Sequence, residues 1–249
     1  MSDASDSTTP TVVLVHGAFA DASSWNGVIP RLEAEGVPVI APPNPLRGIS
    51  IDSAYTAALF DQIDGPIVAV GHSYGGAVIS NAATDAKNVV GLVYVAAFAT
   101  DEGEMLGPVE AGSKDSVLNP TLIARQYPTG DGESKTEFYI DPPKVREAFA
   151  GDLSDEQITL IGATQRPISE LAFSEASGPP AWKHLPTWAV VATGDKAAGA
   201  DVVRSMAERA GATITELEGS HVIMISQPEA VAKVIMAAVD ASVREPVSG

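Results

Sequence analysis

The stretch from Pro66 to Ile79 limits the fold more than any other part of this 249-residue chain. An unbroken apolar run, Ile67-Val68-Ala69-Val70, leads into Gly71-His72-Ser73-Tyr74-Gly75-Gly76, and a run of small residues follows from Ala77. A strand with no polar alternation needs cover on both faces, which places it inside a parallel sheet. The G-x-S-x-G that ends it reads as a sharp strand-to-helix turn, with glycines at 71 and 75 where a larger residue would crowd the backbone. A helix starting there would aim its N-terminal amides and positive dipole end at Ser73, which favours negative charge developing beside the hydroxyl. A glycine-rich turn with an incidental serine accounts for the five residues alone. It does not account for the strand before them and the helix after.

The rest of the chain repeats this rhythm. Thr11–Val15, Val37–Ala41, Ile67–Val70, Val89–Ala96, Thr187–Ala192 and Thr213–Glu218 read as strands, all but the last nearly continuous apolar runs. Helices are expected near Trp25–Glu35, Ser53–Ile63, Gly75–Asp85, Ala200–Ala210 and Pro228–Val239. Ser226 and Glu229 are spaced as a capping box for the last of these, and Val231, Val234, Ile235 and Ala238 follow at helical spacing. Alternating strands and helices predict an α/β fold: a mostly parallel six-stranded sheet flanked by helices. The rhythm breaks between about residues 101 and 180, a segment rich in glycine and proline with helical pieces at Pro143–Ala150 and Ser154–Thr164. That is too long for a structureless loop in a compact domain, so it reads as a helical cap inserted over the carboxyl edge of the sheet, where such folds bind ligands. Residues 1–249 then form a single domain, with residues 1–10 as a flexible polar leader.

Composition removes whole classes of chemistry. Fifteen basic against thirty-two acidic residues give a net charge of −17, which repels phosphate backbones and anionic membranes, so no nucleic-acid or membrane partner is expected. The absence of cysteine excludes disulfides, thiolate nucleophiles and thiolate metal sites. The four histidines, His16, His72, His184 and His221, form no H-x-H or H-E-x-x-H pair, and a metal site is not expected. Nothing at the N-terminus resembles a signal peptide, and the expected location is cytoplasmic. A homodimer is compatible with the sequence.

A serine hydroxyl is a weak nucleophile without a base. His221 follows the last strand in Glu218-Gly219-Ser220-His221, which brings it to the same sheet edge as Ser73. His16 ends the first strand, His184 precedes a strand at the opposite edge, and His72 is expected on the far side of the turn. The base needs an acid to hold its tautomer. Asp195, reached from the strand Thr187–Ala192 through Thr193-Gly194, fits, and the order Ser73, Asp195, His221 is the one this topology imposes. Asp101 and Glu102, after the strand ending near Ala97, are the alternative, while Asp201 suits the start of a helix. An oxyanion hole takes one amide from Tyr74, the residue after the nucleophile, and a second from the loop after the first strand, Ala18 with Phe19 as its neighbour.

Four motifs in order, Val13-Leu14-Val15-His16-Gly17-Ala18-Phe19 with Ser24-Trp25, Gly71-His72-Ser73-Tyr74-Gly75-Gly76, Thr193-Gly194-Asp195 and Gly219-Ser220-His221, resemble the α/β-hydrolase superfamily. Within it they are similar to the small capped serine esterases and the plant hydroxynitrile lyases, over about Thr11 to Val239. The resemblance implies a sheet lacking the superfamily's first two strands, a helical cap above the serine, and the triad roles given above. The lyases carry a lysine directly after the catalytic histidine and a threonine in the first loop; this chain has Val222 and Gly17 at those places.

The expected activity is therefore hydrolysis of a small, largely apolar carboxylic ester through an acyl-serine intermediate, with no cofactor or metal. Phe19, Trp25, Phe98, Leu106 and Phe138 are the candidate substrate contacts, with Tyr127 and Tyr139 as further aromatics of the cap. A small-molecule receptor on the same fold, and cofactor-free lyase, perhydrolase or oxygenase chemistry, are the alternatives.

Overall fold

The structure, a computed structural model, describes residues 9–244; the leader expected over residues 1–10 falls almost wholly outside that range. In chain order the strands are β1 (Thr11–Val15), β2 (Val39–Ile40), β3 (Ile67–His72), β4 (Val89–Val95), β5 (Leu122–Pro128), β6 (Ser134–Ile140), β7 (Ile168–Ser169), β8 (Thr187–Ala192) and β9 (Thr213–Leu217). Six of them form one sheet in the order β2-β1-β3-β4-β8-β9, with every pairing parallel. The chain starts at β1, steps out to β2, then crosses back over β1 to β3 and continues the other way. The reversal opens a crevice between the carboxyl ends of β1 and β3, the place where doubly wound sheets bind ligands. Ser73 follows β3 and His16 follows β1, so both motifs meet there.

Burial explains which runs grew and which shrank. All six residues of β3 are buried, as are most of β4 and β8. At the two edges the ladder has a neighbour on one side only. There β2 contracts to two residues, with Ile40 left 37% exposed, and no residue of β9 is fully buried.

Helix boundaries moved for local reasons. The segment expected as one helix over Trp25–Glu35 divides into a 3-10 turn, Ala22–Trp25, and a helix, Ile29–Ala34. Asp21 caps the turn by accepting from the Ser23 amide, and Pro30 sits in the first turn of the helix, where its missing N–H costs nothing. The next helix begins at Ile49, ahead of the expected Ser53, because the Asp52 carboxylate accepts the amides of Arg47 and Gly48 at its N-terminus. The capping box expected at Ser226 is absent. Ser226 instead closes a short helix, Ile223–Ser226, and the long terminal helix starts at Pro228. That helix buries Val231, Val234, Ile235 and Ala238 as their spacing predicts.

The insertion between β4 and β8 is mixed rather than helical. Its strands β5, β6 and β7 form a separate three-stranded antiparallel sheet, joined at the β5–β6 end by a tight turn in which the Thr129 amide donates to the Glu133 carbonyl at 3.1 Å. Gly130 and Gly132 both take positive φ there, the role for which glycine is favoured. The helices Val145–Ala148 and Asp155–Thr164 lie close to the expected helical pieces, and the second carries a full Ser154/Gln157 capping box. Arg47 ties the insertion to the main body by pairing with Glu137 at 2.7 Å.

Candidate active site

The turn after β3 is as tight as its glycines suggest. A Cβ on Gly71 would lie 2.5 Å from the Gly75 carbonyl oxygen, and one on Gly75 would lie 2.4 Å from that of Val15. Strands β1 and β3 and the helix Tyr74–Ala82 thus approach to a distance that only glycine tolerates. Ser73 sits at the apex with φ 53° and ψ −125°, a left-handed conformation for a residue with a side chain. Such strain costs on the order of 1–3 kcal/mol and persists where the surroundings overdetermine it.

Tyr74 turns its side chain away from the reaction side. Its hydroxyl donates to Asp52 Oδ2 at 2.7 Å. Burial pushes the Asp52 carboxyl above its ordinary value and the Tyr74 phenol well above its own. The phenol therefore stays protonated and anchors the residue whose amide borders Ser73. In the first loop, Phe19 also has positive φ, and its amide donates to the Arg166 carbonyl of the insertion at 3.0 Å. That engagement separates the two candidates for the second oxyanion donor. Among the described residues the amides of Ala18 and Tyr74 donate to no protein acceptor, so they are the pair free to take a substrate oxygen.

His221 and Asp195 meet as expected: Nδ1–H donates to Asp195 Oδ2 at 2.8 Å, with both side chains fully buried. The other carboxylate oxygen of Asp195 accepts the amides of Ala197 and Ala198 at 2.9 and 3.1 Å, which fixes the carboxylate against rotation. The alternative acids lie elsewhere. Asp101 pairs with Lys183 at 2.5 Å, and Glu102 is exposed.

Two supports of His221 are not apparent in the sequence. His72, expected to point away, packs with its ring centroid 4.7 Å from that of His221 and donates from Nε2 to the His221 carbonyl at 3.0 Å. Burial, then the neighbouring His221, pushes its pKa well down, so it serves as a neutral prop. Asp152, from the insertion, accepts both the amide of Ser220 and its hydroxyl. Burial raises that carboxyl, but the hydrogen bonds from Ser220 and Ser226 outweigh it and hold the group below its ordinary value.

Ser73, His221, Ala18 and Tyr74 line one chamber of about 20 Å³, room for about one water. Of the expected substrate contacts, Phe19, Phe98 and Leu106 line it. Trp25 does not; it is buried edge-on behind His72, centroids 6.4 Å apart. Phe138 stands one layer back, edge-on to Phe173 at 5.9 Å, and it is Phe173 that reaches the chamber. Tyr127 and Tyr139 pack under Arg47 and Arg125 on the hairpin. Phe149, which no sequence motif marks, lies 5.2 Å from the His221 ring and 6.0 Å, edge-on, from Phe19. Phe19 and Phe149 also border an outer cavity of about 300 Å³ that reaches Val222, so this pair forms the partition between the two spaces. Among the described residues no three His, Asp or Glu stand together as metal ligands, and no helix is long and apolar enough to cross a membrane.

A parallel sheet carrying a strained serine at a strand-to-helix turn, in one chamber with a buried histidine–aspartate pair, is the arrangement of the alpha/beta hydrolase fold. The chain belongs to the alpha/beta hydrolase family, whose model matches residues 12–234. It is 26% identical to a pyrethroid hydrolase of Sphingobium wenxiniae, an alignment covering 94% of this chain and 89% of the relative. Among solved structures it is similar to polyneuridine aldehyde esterase, with a TM-score of 0.76 at 23% identity over 94% of this chain and 99% of that one. A methylesterase from Arabidopsis gives a TM-score of 0.76 at 19% identity, covering 93% and 99% of the two chains. At those identities the structural likeness speaks for the fold.

Proposed function

We propose that the protein hydrolyses small, largely apolar carboxylic esters through an acyl-serine intermediate. The observation that carries this is the single chamber bordered by Ser73, by His221 on its Asp195 partner, and by the unengaged amides of Ala18 and Tyr74. In the first half-reaction His221 Nε2 takes the Ser73 proton as Oγ attacks the ester carbon. The carbonyl oxygen becomes an oxyanion held by the Ala18 and Tyr74 amides, and Asp195 stabilises the imidazolium. Collapse of the adduct breaks the ester C–O bond, and the imidazolium hands its proton to the departing alkoxide. In the second half, water attacks the acyl-serine, its proton goes to His221 and then to Ser73 Oγ, and the carboxylic acid leaves.

Three similar proteins have names that denote hydrolysis or ester cleavage, which agrees with an ester substrate. The chamber wall is mostly apolar, with no Lys or Arg in it. It suits an uncharged ester and offers nothing to stabilise a leaving cyanide. Residues 101–180 act as the cap of a single hydrolase domain, and substrate entry parts the Phe19–Phe149 pair.

A panel of p-nitrophenyl esters of graded acyl length, run on wild type and Ser73→Ala, tests the reading. Many turnovers per molecule that vanish in the variant are expected. Stoichiometric binding without turnover would make the protein a receptor instead.

A further inference from the structure

Glu110 lies in the short insertion helix Leu106–Ala111 and is only 3% exposed. It borders the same chamber as Ser73 and His221, beside Leu106, Leu118, Phe98 and Phe173. A carboxyl group in such company is costly unless its oxygens are hydrogen-bonded. One partner is present: Ser116 Oγ, 3.1 Å from Glu110 Oε1. That hydroxyl has one proton to give, and the Ala197 carbonyl oxygen lies closer to it, at 2.7 Å, while the Leu118 amide donates to Ser116 Oγ at 3.3 Å. With the Ser116 proton on Ala197, the contact with Glu110 is satisfied when the carboxyl is itself protonated and donates through Oε1. Burial pushes the Glu110 carboxyl up, and neither the Ser116 hydrogen bond nor the nearby His221 cancels that shift. In either protonation state Oε2 is an acceptor, and no donor among the described residues reaches it.

We infer that Glu110 is a specificity-determining residue and that the preferred ester carries a hydroxyl group, which donates to Glu110 Oε2 inside the chamber. The inference rests on the esterase reading and narrows it: an apolar body with one hydroxyl on the arm that lies along the insertion. An acceptor that an all-apolar ester covers without pairing penalises that ester, which is how a polar site discriminates more sharply than an apolar one.

The test measures kcat/KM for methyl hexanoate against methyl 3-hydroxyhexanoate and methyl 6-hydroxyhexanoate, and for hexyl acetate against 6-hydroxyhexyl acetate. Wild type, Glu110→Gln and Glu110→Leu are compared, each checked for a cooperative melt. Wild type is expected to favour at least one hydroxylated ester over its parent by about tenfold, the worth of one hydrogen bond to a buried carboxyl. Glu110→Gln, which keeps an acceptor oxygen, retains most of that ratio, and Glu110→Leu inverts it. A wild type that favours no hydroxylated ester, or a preference that survives intact in Glu110→Leu, overturns the inference while leaving the esterase reading standing. Absence of Ser73-dependent turnover on every ester overturns both.

Discussion

The carboxyl edge of the parallel sheet and the insertion above it hold their residues in different ways. At the sheet edge, position is enforced by backbone against backbone: a Cβ on Gly75 would strike the Val15 carbonyl at 2.4 Å, and one on Gly17 would meet the Ser73 Cβ at 2.6 Å. The insertion is held by scattered single links, backbone ones such as Phe19 to Arg166 and side-chain ones such as Arg47 to Glu137 and Asp152 to Ser220, while the glycines of its hairpin turn have open space around them. Reacting groups need placement to a fraction of an ångström, and rigid elements supply it. Walls that select a substrate tolerate looser support and gain from being able to move. The reacting groups should therefore fail abruptly when changed, and the insertion by degrees.

The largest effect is expected at Asp195→Asn. It keeps the shape but favours the wrong histidine tautomer, and should lower kcat by about 10⁴-fold with the melting temperature little changed. A loss under tenfold, seen in steady-state kinetics on p-nitrophenyl butyrate, would place the acid elsewhere. Next, Gly75→Ala and Gly130→Ala set the two regions against each other. At Gly75 the new methyl meets immovable backbone, and the expected loss is about 3 kcal/mol or more. At Gly130 only the positive φ penalises a side chain, by about 1–2 kcal/mol. Urea unfolding of both variants checks the order, and equal losses would dissolve the distinction.

A smaller effect is expected at Asp152→Asn, a loss of about tenfold in kcat from a looser His221 loop. The Asp152 carboxyl is held below its ordinary value, so the folded state binds its proton less readily than the unfolded chain does. Its stabilisation is present above the ordinary carboxylate pKa, about 4, and disappears as pH falls through the lower folded value. The stability gap between wild type and Asp152→Asn, read from urea midpoints, should be open at neutral pH and close on strong acidification. A gap that widens in acid would reverse the sign of the shift. The smallest expected effect is none at all: wild type should release no cyanide from mandelonitrile above a heat-killed control, since no Lys or Arg lines the chamber to stabilise the leaving anion.

This contrast also governs what could be read from the sequence. The strands that carry the reacting groups are buried on both faces, so their apolar runs and the turns after them stand out, and Ser73, Asp195 and His221 follow from chain order. Ala18 could be named only together with Phe19, because what separates them is a hydrogen bond from Phe19 to Arg166, nearly 150 residues away in sequence. The insertion's sheet has only the turn Thr129-Gly130-Asp131-Gly132 to mark it in the sequence, because β5 is mostly exposed, β6 only partly buried, and neither shows a continuous apolar run. Trp25, beside the first motif, and Phe138, in the cap, are aromatics near the site in sequence that do not line the chamber. Which aromatic reaches a chamber depends on how layers stack, and that put Phe149 and Phe173 there instead. Glu110, Asp152 and His72 had no sequence signal, since each matters through one long-range neighbour.

Covalent capture separates Ser73 as nucleophile from every other hydroxyl of the chain. Wild-type protein treated with an aryl fluorophosphonate, then weighed intact and mapped by peptide mass, should gain one adduct on the peptide bearing Ser73. Ester turnover should fall in step with labelling, and Ser73→Ala should gain none. An adduct on another residue, or full turnover by a protein that no longer labels, would show that Ser73 is not the nucleophile.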